Sequence, residues 1–186
     1  MWSIKYSPNS LKEVKGNELS IVGIKNFILN FKNQKKKALL LYGPTGTGKT
    51  CSLYAFAKEY NYEVLELNAS DSRNKESIDE FMNKAIHQQS LFMKPKIILV
   101  DEVDGISGTK DRGGIQALLR AIEDTNFPII ITSNDITIDK LSPLLRKSQL
   151  VEFKELTSRQ VYEKLSEVSI KEMADIDEFI LRTLAS

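Results

Sequence analysis

The sequence predicts an α/β protein in which helices cover both faces of a parallel β-sheet. Short apolar runs rich in Leu, Ile and Val alternate with longer segments in which apolar residues recur every three or four positions. Several short runs are continuously apolar, which is typical of strands buried on both faces of a parallel sheet. The predicted strands are residues 38–42, 63–67, 96–100, 128–132 and 150–153.

Helical spacing is clearest in two segments between the predicted strands. Apolar residues three or four positions apart fall on one face of a helix, so these residues are expected to face the sheet. The first set is Ile21, Ile24, Ile28 and Phe31, and the second is Ile78, Phe81, Met82 and Ala85.

The alternation of strands and helices stops after residue 153. The tetrapeptide Thr157-Ser158-Arg159-Gln160 fits a capping box that opens a helix, and a second helix is predicted near Ile176. We therefore predict a domain over residues 1–156 and the beginning of a helical domain over residues 157–186. Two helices do not bury their apolar faces alone, so the second part is expected to be incomplete.

Composition excludes several classes of protein. The 186 residues carry 26 basic and 25 acidic side chains, so a nucleic-acid contact would need a local patch of charge. The single cysteine, Cys51, forms no internal disulfide, and the single histidine, His87, has no neighbours that would complete a zinc site. The sequence shows no signal peptide and no run of apolar residues long enough to cross a membrane. We expect an intracellular, cytoplasmic protein, or a nuclear one in a eukaryote.

The segment GPTGTGKT follows a predicted strand and precedes a helical stretch, which is the setting of a Walker A phosphate-binding loop, or P-loop. Its glycines allow successive backbone N–H groups to point at phosphate oxygens. Lys49 is expected to neutralise the β- and γ-phosphates, and the Thr50 hydroxyl to ligate Mg²⁺. A glycine-rich turn without a ligand is the alternative. The residues predicted to bind ATP are Gly43, Pro44, Thr45, Gly46, Thr47, Gly48, Lys49 and Thr50.

An apolar strand that ends in two acids, Asp101 and Glu102, has the Walker B form. Asp101 is expected to hold Mg²⁺ indirectly, and Glu102 to polarise a water for in-line attack on the γ-phosphate. Tandem acids of this kind distinguish ATP hydrolases from small-molecule kinases. The alternative is a pair of solvated carboxylates at the end of a sheet.

Two other predicted strands lead into asparagines. Asn134 follows residues 128–132, and its amide is placed to orient the attacking water or to sense the γ-phosphate, because ligands bind at the carboxyl ends of parallel strands. An ordinary turn asparagine explains the same position, and the residues alone leave both interpretations open. Asn68 is a similar case, and its amide is placed to restrain Glu102.

These motifs together resemble replication factor C, the sliding-clamp loader of archaea and eukaryotes. The run GISGTKDRGG over residues 105–114 is similar to the large subunit of the archaeal loader rather than to the small one. The other matching segments are WSIKYSP at 2–8, LKEVKGN at 11–17, GPTGTGKT at 43–50, LNASD at 67–71 and DEVDG at 101–105.

The resemblance implies an AAA+ module with a five-stranded parallel sheet in the order 5-1-4-3-2, followed by a three-helix lid. It implies that Asn134 is the sensor 1 residue, that Asn68 restrains the catalytic glutamate, and that Val14 forms part of the adenine pocket. Ser7 and Lys15 differ from the Arg and the apolar residue usual in the family, so the base-binding edge is expected to differ in detail.

The resemblance also implies a function and partners. Such subunits join small subunits in a five-membered ring that uses ATP to open a sliding clamp and place it on primer–template DNA. Leu91, Phe92 and Met93 follow two glutamines and are a candidate clamp contact, although packing in the core explains them equally well. The candidates for contacts with the DNA backbone, each of which is equally well a solvated surface charge, are Arg73, Lys75, Lys110 and Arg112.

The chain departs from the family pattern in two further places. Arg146-Lys147-Ser148 stands where small subunits have Ser-Arg-Cys, and lysine lacks the planar fork of an arginine finger, as expected for a large subunit that donates no finger. The sequence ends at Ser186, before the sensor 2 helix, so the ATP site is expected to be incomplete, as in a fragment, a truncated gene product or half of a subunit completed in trans.

Three alternatives remain from the sequence. An origin-recognition or helicase-loading AAA+ protein shares both Walker motifs but carries a winged-helix domain downstream. A protein-remodelling AAA+ chaperone carries an aromatic pore loop, and none is evident. A nucleotide-binding subunit that does not hydrolyse ATP would explain why the arginine finger is replaced, whereas Glu102 argues for hydrolysis.

Overall fold

Within the residues that the structure describes, five strands form one parallel sheet with helices on both faces. The structure is a computed structural model, and it describes residues 2–70, 75–87, 94–107, 113–174 and 176–185. Its helices and strands are α1 Trp2–Lys5, α2 Glu18–Leu29, β1 Ala38–Tyr42, α3 Lys49–Tyr60, β2 Glu63–Asn68, α4 Lys75–His87, β3 Lys96–Asp101, α5 Gly114–Asp124, β4 Ile129–Ser133, α6 Ser142–Lys147, β5 Ser148–Glu152, α7 Ser158–Lys171 and α8 Glu178–Leu184.

The strand order is β2-β3-β4-β1-β5, which confirms the predicted order when it is read from the other edge. β1 pairs with β4 on one side and with β5 on the other, so Tyr42 lies opposite both Ser133 and Glu152. In the other half of the sheet, Asn68 at the end of β2 lies opposite Asp101 at the end of β3. The polar ends of these strands therefore meet at one edge of the sheet.

Each face of the sheet contributes to a separate apolar core, because neighbouring side chains on a strand point to opposite faces. Ala38 and Leu40 of β1 pack into the core formed with α4, α5 and α6, whereas Leu39 and Leu41 pack into the core formed with α2 and α3. All four are fully buried. The continuously apolar sequence of β1 is thus explained by burial on both faces, as predicted.

Most residues of the predicted helical faces are buried, although Phe31 lies beyond the end of α2, in a short 3₁₀ helix. Ile24 and Ile28 of α2 lie in one core, and Ile78 and Met82 of α4 lie in the other. Phe31 and Phe81 are only partly buried at the margins of these cores.

Strand bounds differ from the prediction mainly at β5. β1 has the predicted bounds, and β2 and β3 each extend one residue further. β5 begins at Ser148, two residues before the predicted start, and its next residue, Gln149, is exposed. A strand at the edge of a sheet needs less apolar sequence than a central one, so a search for apolar runs misses its beginning.

The predicted capping box at Thr157 is present. The Gln160 N–H donates to Thr157 Oγ1 (3.3 Å) and the Thr157 N–H donates to Gln160 Oε1 (2.9 Å), which satisfies two backbone donors at the start of α7. α8 begins at Glu178, two residues beyond Ile176, after an Asp177 cap.

Apolar side chains of the last two helices stay exposed, among them Ile170 and Phe179. The division of the chain near Leu156 stays a prediction. No helix in the described ranges is long and apolar enough to cross a membrane.

We expect Gly43→Ala to destabilise the protein far more than Gly46→Ala. A Cβ at Gly43 would lie 1.9 Å from the Phe153 carbonyl oxygen, at a φ of 140°, so the end of β5 would have to move. A Cβ at Gly46 would meet no atom within 4 Å, so that variant carries only the strain of a φ of 75°. Urea unfolding should show losses of about 1–2 kcal/mol for Gly46→Ala and about 3 kcal/mol or more for Gly43→Ala. Equal losses would contradict the proposed clash.

Candidate nucleotide-binding site

The P-loop connects the end of β1 to the start of α3 and is held by hydrogen bonds within the fold. The Gly43 N–H donates to the Ser133 carbonyl (3.3 Å), which ties the loop to the end of β4. Thr47 is buried, and its hydroxyl donates to the Pro44 carbonyl (2.8 Å). Gly48, the N-cap of α3, has a left-handed φ of 99°, a conformation that a glycine adopts at low cost.

Lys49 is 7% exposed and directs its ammonium group across the loop. Its Nζ donates to the carbonyl oxygens of Gly43 (2.7 Å) and Pro44 (2.8 Å) and to Asn134 Oδ1 (3.0 Å). An ammonium group has three N–H donors, so all three have partners.

Burial lowers the pKa of the Lys49 ammonium, and nearby carboxylates oppose that shift. The largest opposing effect comes from Asp104, followed by Asp101 and Glu102. The side chain is therefore a buried cation stabilised by acids from the end of β3 and from the loop that follows it.

Asp101 ends β3 and faces the start of α3. Its Oδ1 accepts a hydrogen bond from the Thr50 hydroxyl (2.9 Å) and another from the Thr132 hydroxyl. The predicted ligand of Mg²⁺ and the predicted Walker B aspartate are thus in direct contact. Both present oxygen atoms, which are the ligands that Mg²⁺ prefers.

Glu102 is exposed at this edge and has a left-handed backbone, with a φ of 56°. That conformation is uncommon for a residue with a Cβ, and it is typical of functional sites when the surroundings hold it in place. Its N–H donates to Thr132 Oγ1 (2.9 Å), and its carbonyl accepts from the Gly105 N–H (2.9 Å).

Asn134 lies one residue beyond β4, and Asp104 fixes its position. The Asn134 N–H donates to Asp104 Oδ1 (3.1 Å), and the side-chain Nδ2 donates to Asp104 Oδ2 (3.4 Å). The amide oxygen therefore faces Lys49, while the amide nitrogen faces Asp104.

One cavity of about 290 Å³ brings most of the predicted residues together. Its lining combines P-loop residues with the ends of β3 and β4. Cys51 also lines it, and burial raises the pKa of that thiol. The lining residues are Thr45, Gly46, Gly48, Lys49, Thr50, Cys51, Asp101, Glu102, Thr132 and Asn134.

Asn68 and Val14 lie outside this lining, as do the predicted P-loop residues Gly43, Pro44 and Thr47. Asn68 Oδ1 accepts from the N–H (2.9 Å) and the hydroxyl (2.7 Å) of Ser70, and no hydrogen bond among the described residues joins it to Glu102. Val14 lines a neighbouring cavity of about 540 Å³ and lies 3.7 Å from the place that a Cβ would occupy at Gly48. Val14 thus lies beside the P-loop, and its part in an adenine pocket stays a prediction.

Reasoning from the sequence missed three residues that shape the site, namely Thr132, Asp104 and Asn17. Thr132 was placed from the sequence only as the last residue of an apolar strand, although a buried polar side chain there needs a hydrogen-bond partner.

Asn17 joins the P-loop to the segment after β5. Its Nδ2 donates to the carbonyls of Thr47 (3.2 Å) and Lys154 (2.9 Å), and its Oδ1 accepts from the Lys154 N–H (2.8 Å).

The predicted partner contacts fall mostly outside the described residues. Leu91, Phe92 and Met93 lie there, as do Arg73, Lys110 and Arg112, and the side chain of Lys75 is likewise not described. Lys147, which the resemblance places where small subunits have their arginine finger, forms an ion pair with Glu123 of α5 (2.8 Å).

The parallel sheet, the P-loop and the acidic end of β3 define a P-loop nucleotide-binding protein of the α/β class. Residues 39–159 match the family described as "ATPase family associated with various cellular activities (AAA)". Since the match covers more than half of the chain, the protein belongs to the AAA family.

Similar proteins extend the match to nearly the whole chain. The chain is 46% identical, over 98% of its length, to the replication factor C large subunit of Nanoarchaeum equitans and covers 43% of that protein. It is 40% identical, over 99% of its length, to the replication factor C large subunit of Thermofilum pendens and covers 45% of that protein. It is 38% identical, over its whole length, to that of Methanococcus maripaludis and covers 39% of that protein. The chain thus spans about two fifths of the length of these relatives.

We expect Asn17→Gly to loosen the P-loop. The variant keeps the left-handed backbone of residue 17 (φ 56°) and removes the three hydrogen bonds to Thr47 and Lys154. Urea unfolding should show a loss of about 1–2 kcal/mol, and Asn17→Ala a further loss of about 1–2 kcal/mol from backbone strain.

Asn61→Gly is the matched control, because Asn61 is exposed and has nearly the same φ, 57°. It should leave stability almost unchanged. A loss equal to that of Asn17→Gly would show that the backbone, and not the hydrogen bonds, is responsible.

Proposed function

We propose that this chain binds ATP with Mg²⁺ and hydrolyses it as the nucleotide-binding part of a clamp-loader large subunit. Membership of the AAA family supports the ATPase activity, and the relatives supply the clamp-loader assignment. The observation that carries the proposal is the single cavity that collects Lys49, Thr50, Asp101, Glu102 and Asn134.

The P-loop and Lys49 are proposed to hold the phosphates. The Lys49 ammonium donates to the carbonyls of Gly43 and Pro44 and to Asn134 Oδ1, and the same N–H groups are the donors that phosphate oxygens would accept from. The buried ammonium provides positive charge, and the N-terminus of α3, where Lys49 lies, adds a helix dipole that favours an anion.

The Thr50 hydroxyl and the Asp101 carboxylate fit a magnesium ion. Their oxygen atoms are adjacent and can both serve as ligands. Among the described residues there is no group of three or more His, Cys, Asp or Glu side chains that could hold a metal ion. Mg²⁺ at phosphate sites uses one or two protein ligands together with phosphates and water. When bound, the ion would neutralise charge on the phosphates.

Glu102 is proposed to accept a proton from the attacking water, and Asn134 to orient that water. Glu102 is exposed within the cavity, so its carboxylate has access to solvent. Asn134 presents its amide oxygen on the side of Lys49. We also retain Asn68 as the residue that restrains Glu102 and Val14 as part of the adenine pocket.

The name of the relatives, replication factor C large subunit, suggests partners for this chain. We propose that the chain acts with replication factor C small subunits, that Leu91, Phe92 and Met93 contact the sliding clamp, and that Lys and Arg side chains contact the DNA backbone. Lysine at residue 147 lacks the planar fork of an arginine, which supports a subunit that donates no finger to a neighbour. Residues 157–186 are proposed to begin the lid over the nucleotide.

We expect Lys49→Ala to weaken ATP binding about 100-fold, because a charge-assisted contact worth about 3 kcal/mol is removed. Glu102→Gln should bind ATP within about twofold of the unchanged chain and lower single-turnover hydrolysis by about 10²–10⁴-fold. Titration with a fluorescent ATP analogue measures binding, and hydrolysis is measured with small subunits present.

Glu155→Gln, a change of the same kind at an exposed position away from the cavity, is the control and should alter neither quantity. Equal loss of binding in the Lys49 and Glu102 variants would contradict the assigned roles. Normal binding without turnover in the unchanged assembly would favour a nucleotide-binding structural subunit.

We expect the chain alone to hydrolyse ATP slowly. None of the described residues that line the cavity is an arginine, so a second cation at the γ-phosphate would come from elsewhere. An arginine finger supplied in trans is worth about 10³–10⁵-fold in rate. Addition of small subunits, clamp and primed DNA should therefore raise kcat by about 10³-fold or more. Equally fast hydrolysis by the chain alone would refute the dependence on a partner.

A further inference from the structure

Thr132 is a buried polar residue among apolar ones. It is 1% exposed and follows three consecutive isoleucines, Ile129–Ile131, in β4. A buried hydroxyl is costly unless it is hydrogen-bonded, so its partners indicate why it is tolerated there.

Among the described residues, both hydrogen-bond partners of this hydroxyl belong to the Walker B pair. Thr132 Oγ1 donates to Asp101 Oδ1 and accepts from the Glu102 N–H at 2.9 Å. The same Asp101 oxygen accepts from the Thr50 hydroxyl at 2.9 Å. One hydroxyl on β4 is therefore joined to both consecutive acids at the end of β3.

The contact with Glu102 supports an unfavourable backbone conformation. The φ of Glu102 is 56°, and a left-handed conformation is disfavoured for residues with a Cβ. Its N–H is held by Thr132, and its carbonyl accepts from the Gly105 N–H at 2.9 Å. These two bonds hold the turn from which the Glu102 side chain reaches the cavity.

We propose that Thr132 is a positioning residue that sets both acids of the site. Its hydroxyl fixes the Asp101 carboxylate beside Thr50, for the metal ion, and fixes the backbone turn of Glu102, for water activation. The inference rests on the proposed function and assigns to Thr132 a role that acts through Asp101 and Glu102.

The test measures how strongly nucleotide binding depends on Mg²⁺. Binding of a fluorescent ATP analogue to the full chain is measured at increasing concentrations of MgCl₂, and once more with EDTA in place of MgCl₂. Thr132→Val keeps the shape of the side chain and removes the hydroxyl, whereas Thr132→Ser keeps the hydroxyl. Thermal unfolding of each variant confirms that it is folded.

We expect Thr132→Val to raise the Mg²⁺ concentration for half-maximal binding by about 10-fold or more, the usual effect of removing a group that orients a metal ligand. Binding in EDTA should stay within about twofold, because Lys49 and the P-loop are unchanged. Thr132→Ser should titrate within about twofold of the unchanged chain. In the assembled complex, Thr132→Val should lower kcat more than it raises KM, because Glu102 is also displaced.

Thr125→Val is the matched control for the loss of a buried threonine hydroxyl. Thr125 is fully buried, its hydroxyl donates to the Phe127 carbonyl (3.0 Å) and accepts from the Phe127 N–H (3.0 Å), and it does not line the cavity. It should lower thermal stability without changing the Mg²⁺ titration. If Thr132→Val does not fold, Thr132→Ala takes its place with the same expected shift.

A Mg²⁺ titration of Thr132→Val that coincides with that of the unchanged chain would overturn the inference. So would an equal shift in Thr125→Val, which would mark the effect as a general loss of stability. Failure of the proposed function has a different signature: the unchanged chain would bind the analogue without any dependence on Mg²⁺ or on Lys49.

Discussion

The site depends on the parallel pairing of β1 with both of its neighbours in the sheet. Because β1 lies between β4 and β5, its carboxyl end places the P-loop between the ends of those two strands. There the Gly43 N–H donates to the Ser133 carbonyl, while the Phe153 carbonyl leaves no space for a side chain at residue 43. Parallel pairing also brings the end of β3 to the same edge, so Asp101 faces the start of α3. Backbone pairing thus sets the distances on which the chemistry of the side chains depends.

The second constraint is electrostatic. A buried ammonium group is costly in free energy. Lys49 is stabilised by three oxygen acceptors and by the carboxylates at and just after the end of β3. Since an ammonium group has only three N–H donors, phosphate oxygens would replace the present acceptors rather than add to them. Asn134 is one of those acceptors, and Asp104 holds its amide nitrogen. A phosphate oxygen that replaced Asn134 as the acceptor would free its amide oxygen, while Asp104 still held the amide nitrogen.

The sequence was sufficient for the parts of the fold and site that depend on local patterns. Continuous apolar runs identified the inner strands, and the spacing of the P-loop and the tandem acids identified most of the residues that line the cavity. The start of β5 was missed because Ser148 and Gln149 belong to an edge strand. Thr132, Asp104 and Asn17 were missed because each contacts residues about 30 or more positions away, which only the tertiary fold brings together.

The proposed restraint of Glu102 by Asn68 carries a structural requirement. Asn68 Oδ1 accepts from the N–H and the hydroxyl of Ser70, so this oxygen is engaged within its own turn. The Asn68 Nδ2 group, by contrast, is the donor that a carboxylate such as Glu102 would accept from. Since Asn68 lies opposite Asp101 in the register of β2 and β3, the two residues at the strand ends are neighbours across the sheet. The restraint therefore requires Glu102 to turn towards β2, while the contact between Asn68 and Ser70 remains intact.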